Sequence, residues 1–298
     1  MIYHRPVLLH DCIEGLSIKP TGIFVDVTFG GGGHSKEILK KLTSGKLYAF
    51  DQDEDAMKNN IEDERFILIN ANFKFLKNFL KIHQEDAVDG ILADLGVSSF
   101  QFDEAEKGFS TRFEGNLDMR MDKRNTINAE IILNTKSESE LKLIFQEYGE
   151  VINSGKLASI IVAERNRRSI KTIGQFKNAI NSCVPKGKEN KYLAQVFQAL
   201  RIAVNDEINA LKKMLLQSLE VLKSGGRLVV ISYHSLEDRI VKNFMRSGNF
   251  EGKIEKDFYG NPLVPFRLIN RKPVVPAMQE IELNSRSRSA KLRIAEKI

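Results

Sequence analysis

Cysteine is scarce in this chain of 298 residues, which has only Cys12 and Cys183. The two lie far apart in the sequence and belong to no paired motif, so the sequence predicts neither a disulfide framework nor a zinc site. We expect both side chains to be buried as small hydrophobic residues, and we expect no bound metal.

Long apolar runs are missing as well. The longest, residues 157–163 and 228–231, fall far short of the roughly 20 residues that a helix needs to cross a bilayer. Near the N-terminus, residues 7–9 form an apolar run that His10 and Asp11 close, which is too short for the core of a signal peptide. We therefore expect a cytoplasmic protein without a membrane-spanning segment.

Positive charge is unevenly spread, although the net charge is only +6. Residues 156–191 hold nine basic and two acidic side chains, and residues 267–298 hold eight and three. Two such patches predict a surface that binds a polyanion such as RNA, with a solvated helix face as the alternative. The candidate RNA contacts are Arg165, Arg167, Arg168, Arg286 and Arg288.

Short apolar segments alternate with helical ones between residues 23 and 104, which is typical of a parallel α/β sheet. The predicted strands are residues 23–25, 47–50, 66–69 and 90–93. A further strand, residues 227–232, follows an amphipathic helix that Gly225 and Gly226 end. The core positions of that helix are Val204, Ile208, Leu211, Leu215, Leu219 and Leu222.

Both ends of the chain are therefore predicted to build one sheet domain, from residues 1–104 and 200–298. The residues between them, 105–199, show helical periodicity and no convincing strand. A capping box of Ser137 and Glu140, for example, precedes a helical stripe of apolar residues. We interpret 105–199 as a helical domain inserted into the sheet domain.

A glycine-rich turn follows the first predicted strand, in the sequence Val-Asp-Val-Thr-Phe-Gly-Gly-Gly-Gly-His-Ser of residues 25–35. Glycines such as Gly30 and Gly32 let a ligand approach the backbone closely, because no Cβ atom blocks it. The dinucleotide pattern G-x-G-x-x-G would need a third glycine where Ser35 stands, which disfavours nicotinamide binding. Asp26 at the strand end instead favours a cationic amino-acid ligand, such as the methionine part of S-adenosylmethionine.

Side chains that could serve a nucleoside ligand follow the next three predicted strands. Asp51 follows the second, where a carboxylate can accept hydrogen bonds from both ribose hydroxyls of an adenosine, and Asp53 is a competing candidate. Phe73 follows the third strand, where its ring can pack beside adenine or belong to the core. Asp94 ends the fourth strand at the switch point of the sheet, where a second substrate must approach.

Six sequence blocks follow one another in order along nearly the whole chain. They are Asp-Val-Thr-Phe-Gly-Gly-Gly-Gly-His-Ser (26–35), Asp-Leu-Gly-Val-Ser-Ser (94–99), Leu-Asp-Met-Arg-Met-Asp (117–122), Phe-Gln-Ala-Leu-Arg-Ile-Ala-Val-Asn (197–205), Ser-Tyr-His-Ser-Leu-Glu-Asp-Arg (232–239) and Ser-Arg-Ser-Ala-Lys-Leu-Arg (287–293). Together they resemble the blocks of the bacterial 16S ribosomal RNA cytosine-N4 methyltransferases. Their joint specificity is high, because no block depends on glycine alone. Two positions depart from the pattern: Thr28 stands where many methyltransferases have glycine, and residues 191–195 replace the usual His-Pro-Ala stretch.

The resemblance implies an α/β fold: a class I, Rossmann-like S-adenosylmethionine methyltransferase sheet domain with an inserted helical domain that helps to recognise RNA. It implies N4-methylation of a cytidine near the decoding site, with 16S ribosomal RNA or the assembled small ribosomal subunit as the partner. The oligomeric state stays open, and a homodimer is one alternative. Carried over position by position, the resemblance assigns to S-adenosylmethionine Gly32, Gly33, His34, Asp51, Phe73, Asp94 and Gln101.

Methyl transfer to cytosine needs alignment and help in removing a proton, because the lone pair of the exocyclic amine is delocalised into the ring. Asp94 is the first candidate for the acceptor that faces the amine. Tyr233 or His234, at the end of the later strand, can stack on or orient a flipped base, although a structural role is equally open for His234. Methylation at C5 would need a cysteine in the loop after Asp94, and that loop has none.

Other functions are compatible with the same fold. A nucleotide-dependent dehydrogenase and a non-catalytic RNA-binding ribosome-assembly factor are the alternatives outside the methyltransferases. Among methyltransferases, DNA or another RNA is the alternative substrate, because the fold and the cofactor pocket are the same for both.

Overall fold

A computed structural model describes residues 6–298 and divides the chain into two compact units. One unit runs up to Gly96 and resumes over Ile208–Ile298, and the other comprises Val97–Glu207. The sequence pattern predicts these boundaries at 104/105 and 199/200, and the assignment of the inserted unit to RNA recognition stays a prediction. Within the described residues, no helix combines the length and the apolar character needed to cross a membrane.

The strands are short and the helices mostly of two to four turns. In chain order the strands are β1 (Ile23–Asp26), β2 (Lys46–Asp51), β3 (Phe66–Asn70), β4 (Val88–Asp94), β5 (Leu222–Ser232), β6 (Glu255–Lys256), β7 (Pro262–Leu263), β8 (Phe266–Leu268) and β9 (Lys291–Lys297). The helices are α1 (Leu9–Leu16), α2 (Gly33–Lys41), α3 (Leu76–Ile82), α4 (Ser99–Asp103), α5 (Ala129–Thr135), α6 (Glu138–Gly149), α7 (Ser154–Arg167), α8 (Ile173–Ile180), α9 (Glu189–Asn205), α10 (Glu207–Val221), α11 (Ser235–Ser247) and α12 (Met278–Leu283).

The sheet unit is built on seven strands in the order β3-β2-β1-β4-β5-β9-β8. Strands β1 to β5 are parallel, which confirms the five predicted strands and the α/β fold class. Strand β9 pairs antiparallel with both β5 and β8. The sequence pattern does not predict β9, which lies inside the basic segment 267–298.

Both faces of this sheet are buried, so successive strand residues enter different cores. Val25 and Tyr48 belong to the core that α3, α10 and α11 cover, whereas Phe24 and Leu47 belong to the core that α1 and α2 cover. Gly90 of β4 lies against the Phe24 ring, where a Cβ atom would come within 2.8 Å of Cδ1. Because β1 pairs parallel with β2 and with β4, the carboxyl ends of the three strands lie at one edge of the sheet.

The prediction of one continuous helix from Val204 to Leu222 is wrong. Helix α9 ends at Asn205, Asp206 adopts a left-handed φ of 52°, and α10 starts one residue later. Val204 packs in the core of the helical unit, while Leu222 is already the first residue of β5. The apolar spacing continues across the break, and the turn depends on an aspartate that tolerates the left-handed conformation.

The inserted unit is helical, as predicted. Its described residues contain helices α4 to α9, a few single turns and one isolated bridge pair between Asn116 and Thr172. The predicted capping box begins α6: the Ser137 hydroxyl accepts the Glu140 N–H at 3.3 Å, and the Glu140 carboxylate accepts the Ser137 N–H at 2.8 Å. Cys183 is buried here and Cys12 in the sheet unit, which confirms the expectation for both thiols.

Candidate active site

A glycine turn leads from β1 into α2 at the carboxyl edge of the sheet. Gly30 and Gly32 have left-handed φ values of 51° and 74°, a conformation that residues with a Cβ rarely adopt. A Cβ atom on Gly32 would also lie 2.8 Å from the Phe29 ring. The turn therefore requires glycine, and it aims the N-terminus of the nine-residue helix α2 at the edge of the sheet, where N–H groups favour an anionic group such as a carboxylate.

Asp26 stabilises this turn through hydrogen bonds. Its side chain is almost fully buried, with one carboxylate oxygen accepting the Ser35 hydroxyl at 2.7 Å and the other accepting the Thr28 N–H at 3.1 Å. Burial raises the pKa of Asp26, and the nearby His34 opposes that rise. The carboxylate thus joins the strand end to α2, and its contact with the amino group of a cofactor stays a prediction.

Asp51 lies beside the turn, at the end of β2. One of its oxygens accepts the Gly30 N–H at 2.8 Å and the other accepts the Asp53 N–H at 2.9 Å. Burial raises the pKa of Asp51 to about 6. Asp53, the competing candidate, is buried and caps the following turn by accepting the Asp55 N–H at 3.1 Å. Asp51 is thus the less buried of the two carboxylates, and its contact with a ribose stays a prediction.

Two further cofactor candidates stay predictions. Phe73 follows β3 and is partly buried against the core of the sheet unit. Gln101 belongs to the helical unit, where it is buried and forms a capping box with Ser98 at the start of α4. Its side-chain oxygen accepts the Ser98 N–H at 3.1 Å, an interaction that orients this side chain.

Asp94 and Tyr233 meet at the ends of β4 and β5. The Tyr233 hydroxyl donates a hydrogen bond of 2.7 Å to Asp94 Oδ1, and the Asp94 N–H donates one of 2.6 Å to the Thr28 hydroxyl. The Asp94 side chain keeps 22% exposure. Burial raises the pKa of Asp94 to about 6, and burial together with Asp94 raises that of Tyr233 well above its usual range. The result is an oriented carboxylate that can be reached from solvent and can accept a proton near neutral pH.

His34 approaches the same carboxylate from α2. Its Nδ1 lies 3.9 Å from Asp94 Oδ2, and its Nε2 donates to the Val7 carbonyl at 3.1 Å. The side chain is only 6% exposed, so a cofactor could meet His34 through its backbone N–H rather than its ring. The sequence motif connects His34 with the cofactor but reveals neither the contact with Val7 nor the proximity to Asp94, since neither is local in sequence.

His234 has a structural role at the start of α11. Its Nδ1 accepts the Glu237 N–H at 3.4 Å, while the Glu237 carboxylate accepts the Tyr233 N–H at 2.9 Å and lies 3.1 Å from His234 Nε2. The His234 side chain is only 10% exposed. This reciprocal cap fixes the ring in the helix terminus, so of the two predicted base-orienting residues Tyr233 is the one beside Asp94.

The arginines predicted to contact RNA differ in their exposure and in their hydrogen-bond partners within the protein. Arg165 donates to the carbonyls of Leu133 and Lys136 at the end of α5, which gives it a helix-capping role. Arg167 and Arg168 are exposed. In the C-terminal segment, Arg288 is exposed whereas Arg286 is partly buried.

Much of the positive charge of the C-terminal segment is bound within the sheet unit. Arg293 of β9 is buried and donates to Asp238 at 2.7 Å, and Lys291 lies 3.3 Å from the same carboxylate. Lys297 donates to the carbonyls of Leu219 and Leu222. These three residues therefore already have partners within the unit, and the contact of segment 267–298 with RNA stays a prediction.

Comparisons with known proteins agree with this arrangement. The family described as the MraW methylase family matches residues 1–298. Three similar proteins carry the name Ribosomal RNA small subunit methyltransferase H. They come from Flavobacterium johnsoniae (58% identity, 100% of this chain and 99% of that protein), Christiangramia forsetii (56%, 100% and 99%) and Bacteroides thetaiotaomicron (58%, 100% and 98%).

Proposed function

Because this chain belongs to the MraW methylase family, we propose that it methylates the N4 atom of a cytidine in 16S ribosomal RNA, near the decoding site. Family membership makes the chain a methyltransferase with S-adenosylmethionine as its cofactor. The names of the three relatives support ribosomal RNA of the small subunit as the substrate. The cytidine is supported by the sequence blocks and by the chemistry of Asp94, and its position near the decoding site by the sequence blocks alone.

The residues at the sheet edge fit S-adenosylmethionine. A Cβ atom on Gly31 would meet no atom of the described residues within 4 Å, so the glycine turn borders open space, and the N-terminus of α2 suits the carboxylate of an amino acid. Each oxygen of Asp51 accepts one backbone N–H, which leaves lone pairs for the ribose hydroxyls. When bound, the cofactor supplies an electrophilic methyl group on a sulfonium. Gly32, Gly33, His34 and Asp51 would hold it.

The observation that carries the proposal is the Asp94 carboxylate, held at the switch point by Tyr233. A cytosine amine becomes a better nucleophile when an acceptor draws on its N–H, because the nitrogen lone pair is then less delocalised. The Tyr233 hydroxyl donates to Asp94 Oδ1, which leaves Oδ2 as the acceptor that we propose for the amine. With a pKa of about 6 the carboxylate is mostly ionised at neutral pH and can take the amine proton as the new bond forms.

Tyr233 can orient the base as well as the carboxylate. Its ring is partly buried and its hydroxyl is held by Asp94, so its position is fixed before substrate binds. Preorganised groups of this kind lower the barrier because they need not reorganise during the reaction. The flipped cytosine would then be aligned by Tyr233 and deprotonated by Asp94.

Methyl transfer from labelled S-adenosylmethionine tests the proposal. The purified protein is incubated with small ribosomal subunits, naked 16S ribosomal RNA, transfer RNA and DNA, and the labelled nucleosides are then identified by mass spectrometry. We expect N4-methylcytidine in 16S ribosomal RNA, free or assembled, and labelling that is slower by about 10²-fold or more with Asp94→Asn. Label on DNA, on transfer RNA or at C5 of cytosine would contradict the proposed substrate or atom.

A further inference from the structure

Each nitrogen of the His34 ring lies near an oxygen atom of the sheet unit. Nε2 is 3.1 Å from the Val7 carbonyl oxygen, and Nδ1 is 3.9 Å from Asp94 Oδ2. A carbonyl oxygen can only accept a hydrogen bond, so Nε2 must carry a proton. The neutral ring therefore has its unprotonated nitrogen, Nδ1, on the side of Asp94.

A lone pair on Nδ1 beside an ionised carboxylate is unfavourable, because both are acceptors. A single proton on either the imidazole Nδ1 or the Asp94 carboxyl removes this conflict. With the ring protonated, a cation stands beside the carboxylate and stabilises its ionised form. His34 is thus placed to oppose the rise in the pKa of Asp94 that burial causes.

We infer that His34 is a positioning residue that keeps Asp94 ionised and correctly turned for the reaction. Tyr233 fixes Oδ1 of that carboxylate from β5, and His34 faces Oδ2 from α2, so the carboxylate is held from two sides. The inference rests on the proposed function only in the part that assigns the amine proton to Asp94. The interaction between His34 and Asp94 exists without substrate and does not depend on the proposed function.

The backbone of the N-terminal segment holds His34 in this tautomer. Val7 supplies the carbonyl, and the next residue, Leu8, has a left-handed φ of 51° and donates its N–H to Glu280 at 2.8 Å. Pro6 packs on the first turn of α2 so closely that a Cβ atom on Gly33 would lie 2.2 Å from its Cγ. The carbonyl that selects the Nε2–H form is therefore fixed from both neighbours.

The other charged groups around Asp94 act in the opposite sense to His34. Asp26 of β1 and Glu237 of α11 are negative and raise the pKa of Asp94 together with burial. Cys12 of α1 also lies close enough for its own pKa to be raised by Asp94. Tyr233 is neutral and lowers the pKa of Asp94 through its hydrogen bond. Of these, only His34 can place a positive charge beside the carboxylate.

Nuclear magnetic resonance of the imidazole nitrogens tests the tautomer without any substitution. In the ¹⁵N-labelled wild-type protein at alkaline pH, we expect Nε2 of His34 to be protonated and Nδ1 to be unprotonated. The opposite tautomer would overturn the inference, because Nε2 could not then donate to Val7.

The substitution His34→Gln tests the effect on Asp94, with His10→Gln as the matched control. His10 is 79% exposed on α1 and lies outside the site. Because a cation at this distance lowers a carboxyl pKa by about one unit or more, the titration of Asp94, followed by ¹³C resonance, should move up by about one pH unit in His34→Gln only. From a pKa of about 6, the ionised fraction then falls about fivefold at pH 6 and about twofold at pH 7.

The methylation rate distinguishes positioning from a merely structural role. In single-turnover reactions, the acidic limb of the rate profile should move with the Asp94 titration in His34→Gln. An equal loss of rate at every pH, or an unmoved Asp94 titration in a folded variant, would overturn the inference. If the wild-type protein does not methylate ribosomal RNA, only the proposed function fails, since both resonance measurements need no RNA.

Discussion

Replacing Asp94 with asparagine should lower activity while it raises stability. Asparagine keeps the shape of the side chain, and its oxygen can still accept the hydrogen bond that Tyr233 donates at 2.7 Å. Its amide is close in size to the carboxylate and fits the space beside His34. Loss of the proton acceptor should slow single-turnover methylation by about 10²-fold or more, the usual scale for a positioned acid–base group. The affinity for S-adenosylmethionine should fall less than the rate.

The stability effect follows from the raised pKa of the Asp94 carboxyl, about 6 against an ordinary 3.8. Near pH 3 the carboxyl is protonated in both the folded and the unfolded chain and contributes no difference. As the pH rises from about 4 to about 6, the unfolded chain ionises first, so the free energy of unfolding falls by about 3 kcal/mol in the wild type. The Asp94→Asn variant has no carboxyl group at this position, so its free energy of unfolding does not fall for this reason.

Denaturant unfolding at two pH values and a rate measurement together check the prediction. At pH 7.5 the variant should be more stable than the wild type by up to about 3 kcal/mol, and near pH 3.5 the two should be equal. Equal stability at both pH values would refute the claim that the ionised carboxylate is destabilised by burial. An unchanged rate in the same variant would remove Asp94 from the transfer.

Three further substitutions test the remaining parts of the site. Asp51→Ala should weaken S-adenosylmethionine binding by about 1.5–3 kcal/mol, because hydrogen bonds to a charged acceptor are lost; unchanged affinity by calorimetry in a folded variant would contradict its role. Gly32→Ala should weaken cofactor binding and stability together, since its φ is 74° and the added atom meets the Phe29 ring; a variant that binds normally would show that the turn tolerates a Cβ. Changing Arg167 and Arg168 together to alanine should leave cofactor affinity within about twofold and reduce the salt slope of RNA binding by about 1 unit, at about 0.7 per phosphate. An unchanged slope would mean that this face is only solvated.

Strands that are buried on both faces were the part of the fold most open to prediction from sequence. Their apolar runs, such as residues 47–50 and 90–93, are too short for buried helices and alternate with helical segments, which is typical of a parallel sheet. The sequence pattern does not predict strand β9, because Arg293 and Lys291 are typical of a solvated basic tail. Only the folded structure shows that Asp238 neutralises both.

The site shows a similar division between local and long-range information. Glycines that must turn the chain and acids that end strands can be located by position alone, as Gly32 and Asp51 were. The contact of His34 with Asp94 joins residues 60 positions apart in sequence and depends on how α2 packs at the sheet edge. His234 caps α11 by accepting the Glu237 N–H, a local contact that could have been found by treating histidine as an N-cap residue with glutamate three positions later.

Mass mapping of methylated cytidines in ribosomal RNA tests the central claim most directly. The RNA is taken from cells that lack the gene and from the same cells supplied with the wild-type chain or with Asp94→Asn. We predict one N4-methylated cytidine near the decoding site of 16S ribosomal RNA that disappears without the gene, returns with the wild-type chain and does not return with the variant. An unchanged methylation pattern in 16S ribosomal RNA, or a change confined to another nucleic acid, would contradict the proposed reaction.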